Sequence, residues 1–207
     1  MLKNKRFIFL ALLYAAIIVT GFFVAYRAWT VHKVMAGLHD VSFGQYQGAE
    51  NADKTIVEFL DYRCNYCRQM HPVMMQVLER HPDVRIIYRH YPIFGRPSLI
   101  EAEIALAAGM HGKFRQAHDY LITREDPITD REIEELATKL GINIEQFRLD
   151  MKDQQMGYLL LGTLDAIEAL NIRSVPTFMV GNILYSLEQG MPDVETFDRL
   201  LAEAYGE

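Results

Sequence analysis

The chain holds two cysteines and no more, three positions apart as Cys64-Asn65-Tyr66-Cys67. A bridge between them closes too short a loop to staple a fold, so at this spacing the thiols matter through their reactivity. Where such a pair opens a helix directly after a strand, the chemistry available is thiol–disulfide exchange. The first sulfur lies among unpaired backbone N–H groups at the positive end of the helix dipole, which favours its thiolate. Cys64 is therefore expected to be the exposed nucleophile. Cys67, one turn further in and buried, is expected to close the ring and expel a bound substrate from a mixed disulfide. Arg63 and Arg68 flank the pair and either add positive potential or are simply solvated.

Glu58 is the anomaly of the neighbouring apolar run Thr55–Leu60, with Ile56 and Leu60 on its own face if that run is a strand. A carboxylate among such neighbours is costly to ionise, so its pKa should be raised and it can exchange protons with Cys67. The alternative is an ion pair or a solvated carboxylate. A metal site is the competing use of the cysteines, since His71 falls one helical turn after Cys67. Zinc usually takes four ligands and draws on a second Cys or His pair at recognisable spacing, and none is evident. The remaining histidines form no ligand motif and the ten methionines fall mostly on helix stripes, so no metal and no cofactor is expected.

The elements that must position these residues can be read from periodicity. Thr55 to Leu60 reads as a buried strand, Cys64 to about Arg80 as a helix with Met70, Val73, Met74, Val77 and Leu78 on its apolar stripe, and Val84 to Tyr91 as a second strand. A strand, helix and strand of this length make a βαβ unit. From about 98 to 170 the pattern is helical throughout, in five pieces. Thr177–Val180 and Ile183–Leu187 then flank Gly181-Asn182, a tight hairpin signal, and a last helix runs from about Asp193 to Tyr205. This order describes an α/β fold: a small mixed sheet with an all-helical insertion between its halves.

Phe7 to Tyr26 carries no charge over 20 residues, about 30 Å of helix and one hydrocarbon thickness. The expected organisation is a cytoplasmic basic tip (1–6), a transmembrane anchor (7–26), a stalk and linker (27–50), and a domain from 51 to 207 with its helical insertion at about 98–170. The h-region of a cleaved signal peptide is usually shorter, about 7 to 15 residues, which favours retention of the anchor. Lys3, Lys5 and Arg6 on one side and the aromatic pair Tyr26 and Trp29 on the other favour an N-inside orientation. Residues 28–41 keep Val31, Val34, Met35 and Leu38 at helical spacing, a stripe that either pairs with copies of itself or lies against the domain or the membrane. Five of the 21 Lys/Arg precede residue 41, opposed only by Asp40, which leaves 16 against 26 Asp/Glu and a net charge of −10 in the remainder. An acidic body of this kind excludes nucleic acid as a partner.

The stretch Ile56-Val57-Glu58-Phe59-Leu60-Asp61-Tyr62 leading into Cys64 and Cys67 resembles the DsbA-like thiol–disulfide oxidoreductases. So do His111-Gly112-Lys113-Phe114 with His118, and Ser174-Val175-Pro176-Thr177-Phe178, so that the likeness spans about residues 48–206. The resemblance implies a thioredoxin fold with a helical insertion, here preceded by one N-terminal transmembrane helix. It also implies a cis Pro176 facing the redox pair, with Val175, Pro176, Asn65 and Tyr66 contacting an extended substrate chain. The expected activity is disulfide formation in reduced or unfolded exported proteins, at the inner membrane with the catalytic domain in the periplasm or exoplasmic space. A membrane redox partner would reset the pair. Isomerase or reductase work, served by oligomerisation through 28–41, is the alternative, and a metal-binding chaperone module the third. Asn65-Tyr66 departs from the Pro-His of the strongest oxidases, and the loss of that cationic His predicts a less oxidising pair.

Overall fold

The apolar amino-terminal run is the first part of one uninterrupted helix, α1 (Leu2–Leu38), in a computed structural model that describes residues 2–206 and side chains from Phe9 onward. The basic side chains expected at 1–6 lie outside those described. From Phe9 the helix is long and apolar enough to cross a membrane, with none of its most apolar window buried against protein. No break separates the segments expected as anchor and stalk, since no proline interrupts the helix between Tyr26 and Leu38. The stalk stripe does not stand free: Val34, Met35 and Leu38 pack on the domain core, Leu38 to 2% exposure, and this end of α1 runs against a helix of the insertion.

Beyond α1 come β1 (Tyr46–Gly48), β2 (Lys54–Leu60), α2 (Asn65–Arg80) and β3 (Val84–His90). The helical block follows as α3 (Arg96–Met110), α4 (Phe114–Ile122), α5 (Asp130–Leu140), α6 (Ile144–Asp150) and α7 (Gln154–Ala169), and then β4 (Thr177–Val180), β5 (Ile183–Ser186) and α8 (Val194–Tyr205). The sheet order is β1-β3-β2-β4-β5, with β2 and β3 parallel and the other pairs antiparallel. β2 is central, and Ile56, Val57, Phe59 and Leu60 are all fully buried, which is why its sequence lacks the alternation of a half-exposed strand. Local signals end the helices of the insertion where expected. A Thr129–Glu132 capping box opens α5, and Gly141, in the left-handed region at φ 73°, closes it.

β1 lies inside the segment read from sequence as linker. It is short, and its central Gln47 and the preceding Gln45 are buried although polar, at 3% and 0% exposure, so the apolar pattern of a strand is missing. Gln45 is satisfied locally, accepting from Phe43 N (2.9 Å) and donating to Asp40 O (2.8 Å), and Gln47 from afar, accepting from the Tyr88 hydroxyl (2.9 Å) and donating to Asp119 (2.6 Å). Gly48 is required where β1 leaves the sheet, since its φ is +98° and a Cβ there would stand 2.4 Å from the Val84 carbonyl oxygen.

Arg89 of β3 joins the sheet to α1. Its side chain is 2% exposed, donating from Nε to Leu38 O (3.1 Å) and from Nη2 to Gly37 O (2.7 Å) and Asp40 O (2.7 Å). The Gly37 and Leu38 carbonyls lie in the last turn of α1, at the negative end of the helix dipole, and Asp40 follows it; the Gly37 and Asp40 oxygens also accept from Asp40 N and Gln45 Nε2. Burial draws the guanidinium down to about 10, with Asp40 opposing, so it stays charged at neutral pH. Because hydrogen bonds to a charged group each contribute roughly 1.5–3 kcal/mol, Arg89→Met is expected to destabilise the domain by about 3 kcal/mol or more. Urea unfolding with unchanged m-value would read this out, and a loss below 1 kcal/mol would show that water replaces the contacts at no cost.

Candidate active site

The end of β2 delivers the chain to Asp61, which turns it into α2. Asp61 is 2% exposed and its carboxylate is fully engaged: Oδ1 accepts from Arg63 N (2.7 Å), Oδ2 from Ile93 N (2.7 Å) and Phe94 N (3.2 Å). It holds the loop after β3 beside the first turn of α2. Cys64 is the residue that caps α2, with extended backbone at φ −79° and ψ 117°. A sulfur replaces the usual Ser, Thr or Asp, so no side-chain cap is made and the first N–H groups of the helix are left for the thiolate.

The two sulfurs are differentiated as their positions in α2 require. The Cys67 thiol donates a hydrogen bond to Cys64 and, with the backbone N–H groups of Cys67 and Tyr66, draws the Cys64 thiol down to about 7, against the opposing effects of burial and Asp61. Arg63 and Arg68 are engaged with other partners. Arg63 donates to Glu125 O and lies 3.9 Å from Glu101, while Arg68 reaches Asn65 Oδ1 and Tyr62 O. Burial, and then the hydrogen bond to Cys64, push the Cys67 thiol well above its ordinary value. Both thiols are free in this structure.

Cys64 is not exposed as the sequence led one to expect. Its exposure is 4%, against 0% for Cys67, because the loop before β4 folds over it and brings Val175 O to 3.4 Å from its sulfur. The Val175–Pro176 peptide bond is cis, which presents the Val175 carbonyl to the pair. Tyr66, at 53% exposure, and Asn65 form the open rim, so all four residues expected to contact substrate lie at or beside the sulfurs.

Glu58 sits in the middle of β2, in register with Tyr88 of β3 on one side and Phe178 of β4 on the other, and is 3% exposed. Burial, and then the charge of Cys64, raise its carboxyl to about 8. It raises Cys67 in turn, so Glu58 and the two thiols titrate as a coupled set.

Beneath α2 lies a cluster that sequence reasoning passed over. The Tyr62 hydroxyl bonds both His118 Nδ1 (3.0 Å) and His90 Nε2 (3.1 Å), and His118 stacks on Tyr88 and Phe114 at 4.0 and 5.6 Å between ring centroids. Burial drives His118 well below the ordinary histidine range and His90 to about 3, so both rings are neutral at physiological pH. Two residues of the cluster, Phe114 and His118, belong to a motif already visible in the sequence. Of its three further members, Tyr62 closes the motif that leads into the cysteine pair, while Tyr88 and His90 of β3 had no local signal as partners.

A thioredoxin family model matches residues 42–202. Among solved structures, a thioredoxin-like oxidoreductase from Silicibacter pomeroyi is 26% identical, with a TM-score of 0.72 over 82% of this chain and 98% of that one. The thiol-disulfide exchange protein α-DsbA2 of Wolbachia pipientis is 23% identical (TM-score 0.72, 86% of this chain and 97% of that one), and the catalytic domain of Proteus mirabilis ScsC 19% (0.73, 86% and 98%). A curated relative, the Na(+)/H(+) antiporter NhaA 3 of Salinispora tropica, is 29% identical over 136 residues, 65% of this chain. The chain spans about a fifth, 21%, of that relative's length.

Proposed function

This chain belongs to the thioredoxin family, and on that premise we propose that it is a membrane-anchored thiol–disulfide oxidoreductase that forms disulfides in exported proteins. The observation that carries this is the splitting of the two thiols, Cys64 drawn down to about 7 at the cap of α2 and Cys67 held well above its ordinary value one turn away. In the oxidised protein a substrate thiolate attacks Cys64 Sγ, the Cys64–Cys67 bond breaks, and its electron pair leaves on Cys67, which takes up a proton from Glu58. A second substrate thiolate then attacks the substrate sulfur of the mixed disulfide, and Cys64 leaves as the better leaving group. The substrate has lost two electrons and the pair has gained them. A membrane redox partner removes them again.

Val175, Pro176, Asn65 and Tyr66 hold the substrate beside Cys64. The Val175 carbonyl, already at the sulfur, offers an acceptor to an extended chain. The exposed apolar length of α1 supports a single-pass anchor, and with it a catalytic domain on the periplasmic or exoplasmic side. One observation favours the alternative of reductase or isomerase work: a nucleophile near 7 stabilises the reduced pair only mildly. At about 30 mV per pKa unit, the potential is expected to lie about 100 mV below that of an oxidase whose nucleophile titrates near 3.5. The stalk stripe gives oligomerisation less support, since Leu38 and its neighbours are spent on the domain.

The decisive test is catalysed oxidative refolding of a reduced substrate by the full chain in detergent, with Cys64→Ala as control. Turnover lost in the variant supports the proposal, and equal rates would end it. Trapping the thiols in cells separates the two directions, mostly oxidised for disulfide formation and mostly reduced for shuffling.

A further inference from the structure

The folded chain brings together three groups that its sequence holds far apart. His71 lies on α2, one turn beyond Cys67, and His118 and Asp119 are consecutive on α4. One ligand atom from each falls within 4.8 Å of the others, and His71 Nε2 is 3.8 Å from Asp119 Oδ1. His118 is 1% exposed and its Nε2 has no hydrogen-bond partner. A buried ring nitrogen left unpaired costs free energy unless something occupies it.

We propose that His71, His118 and Asp119 form a site for a divalent first-row transition metal, zinc in the first instance, that ties α2 to α4 behind the cysteine pair. Two imidazoles and a carboxylate with an open fourth position suit a tetrahedral zinc site completed by water. The surroundings already orient two of the ligands. In the tautomer with the proton on His118 Nδ1, that N–H donates to the Tyr62 oxygen and the Tyr62 hydroxyl donates to His90 Nε2, which leaves the lone pair of His118 Nε2 free for a metal. Gln47 Nε2 donates to Asp119 Oδ1 at 2.6 Å and fixes that carboxylate. Access from solvent is open on the side of Asp119, whose side chain is 43% exposed, while that of His71 is 15% exposed. Tetrahedral zinc at about 2.0–2.2 Å from each ligand draws the donor atoms closer than they stand here, a change the side chains of His71 and Asp119 can make by rotation.

The test uses the untagged full chain in detergent with Cys64 and Cys67 oxidised to their disulfide, so that no thiolate is available. Titration with Co(II), followed by its visible d–d absorption, and with zinc by calorimetry, is expected to show one equivalent bound. His71→Ala and Asp119→Asn, both at partly exposed positions, are expected to weaken binding ten-fold or more, while His32→Ala on α1 leaves it unchanged. No binding by the oxidised chain, or binding that survives both His71→Ala and Asp119→Asn, would overturn the proposal. The outcome is independent of whether the cysteine pair turns over substrate.

Discussion

Cys67→Ala is expected to slow the alkylation of Cys64 at pH 7 by ten-fold or more and to turn the protein into a trap that accumulates mixed disulfides. The largest effect drawing the Cys64 thiol down to about 7 is the hydrogen bond from the Cys67 side chain, ahead of the backbone N–H groups. Without it, burial and Asp61 push the thiol back toward 9.0. The thiolate fraction at pH 7 then falls from about one half toward about one hundredth. Cys67→Ser keeps a donor at the same place and should hold the pH profile of alkylation close to that of the native chain, although it too cannot resolve a mixed disulfide. The pair of variants thus separates two roles of one residue. A profile unmoved in Cys67→Ala would assign the shift to the backbone alone.

Glu58→Gln is expected to stabilise the protein, and by more as the pH rises. Glu58 keeps its proton in the folded state up to about 8, whereas in the unfolded chain it loses it near 4.5. Between those values the unfolded state binds fewer protons than the folded one, so the stability of the native chain declines as pH increases. At 1.36 kcal/mol per unit the penalty reaches about 3 kcal/mol at pH 7 and about 5 kcal/mol above pH 8, and below pH 4.5 it vanishes. The glutamine variant lacks this linkage. Its advantage over the native chain in urea unfolding, measured with both thiols reduced as they are here, should be small at pH 5 and large at pH 8. A difference independent of pH would mean that Glu58 ionises normally in the fold. The same variant should release Cys67 about 10²-fold more slowly at neutral pH, having lost its proton source. A residue that costs stability at working pH and whose removal slows the reaction is one kept for its chemistry.

Much of this architecture is legible from local pattern. The run that becomes β2, the helix that begins at the cysteine pair, the five helices between Arg96 and Ala169 and the hairpin at Gly181-Asn182 all follow from periodicity and from caps and turns a few residues long. A low first thiol and a high second one were expected from the helix start, but the largest causes in the fold are the Cys67 hydrogen bond for Cys64 and burial for Cys67. The short strand β1 was not legible, since its central residue Gln47 is a buried polar group whose partners, Tyr88 and Asp119, lie 41 and 72 residues away. Nor was Arg89, a charge inside the core that makes sense only once the end of α1 arrives beside it. The cover over Cys64 comes from Val175, 111 residues later, and the joining of Tyr62 to His118 spans 56. Spacing along the chain determined which residues could react. Burial, which raises Glu58 and Cys67 and leaves a histidine nitrogen without a partner, is a property of surfaces that meet only after folding, and the tertiary structure alone decided it.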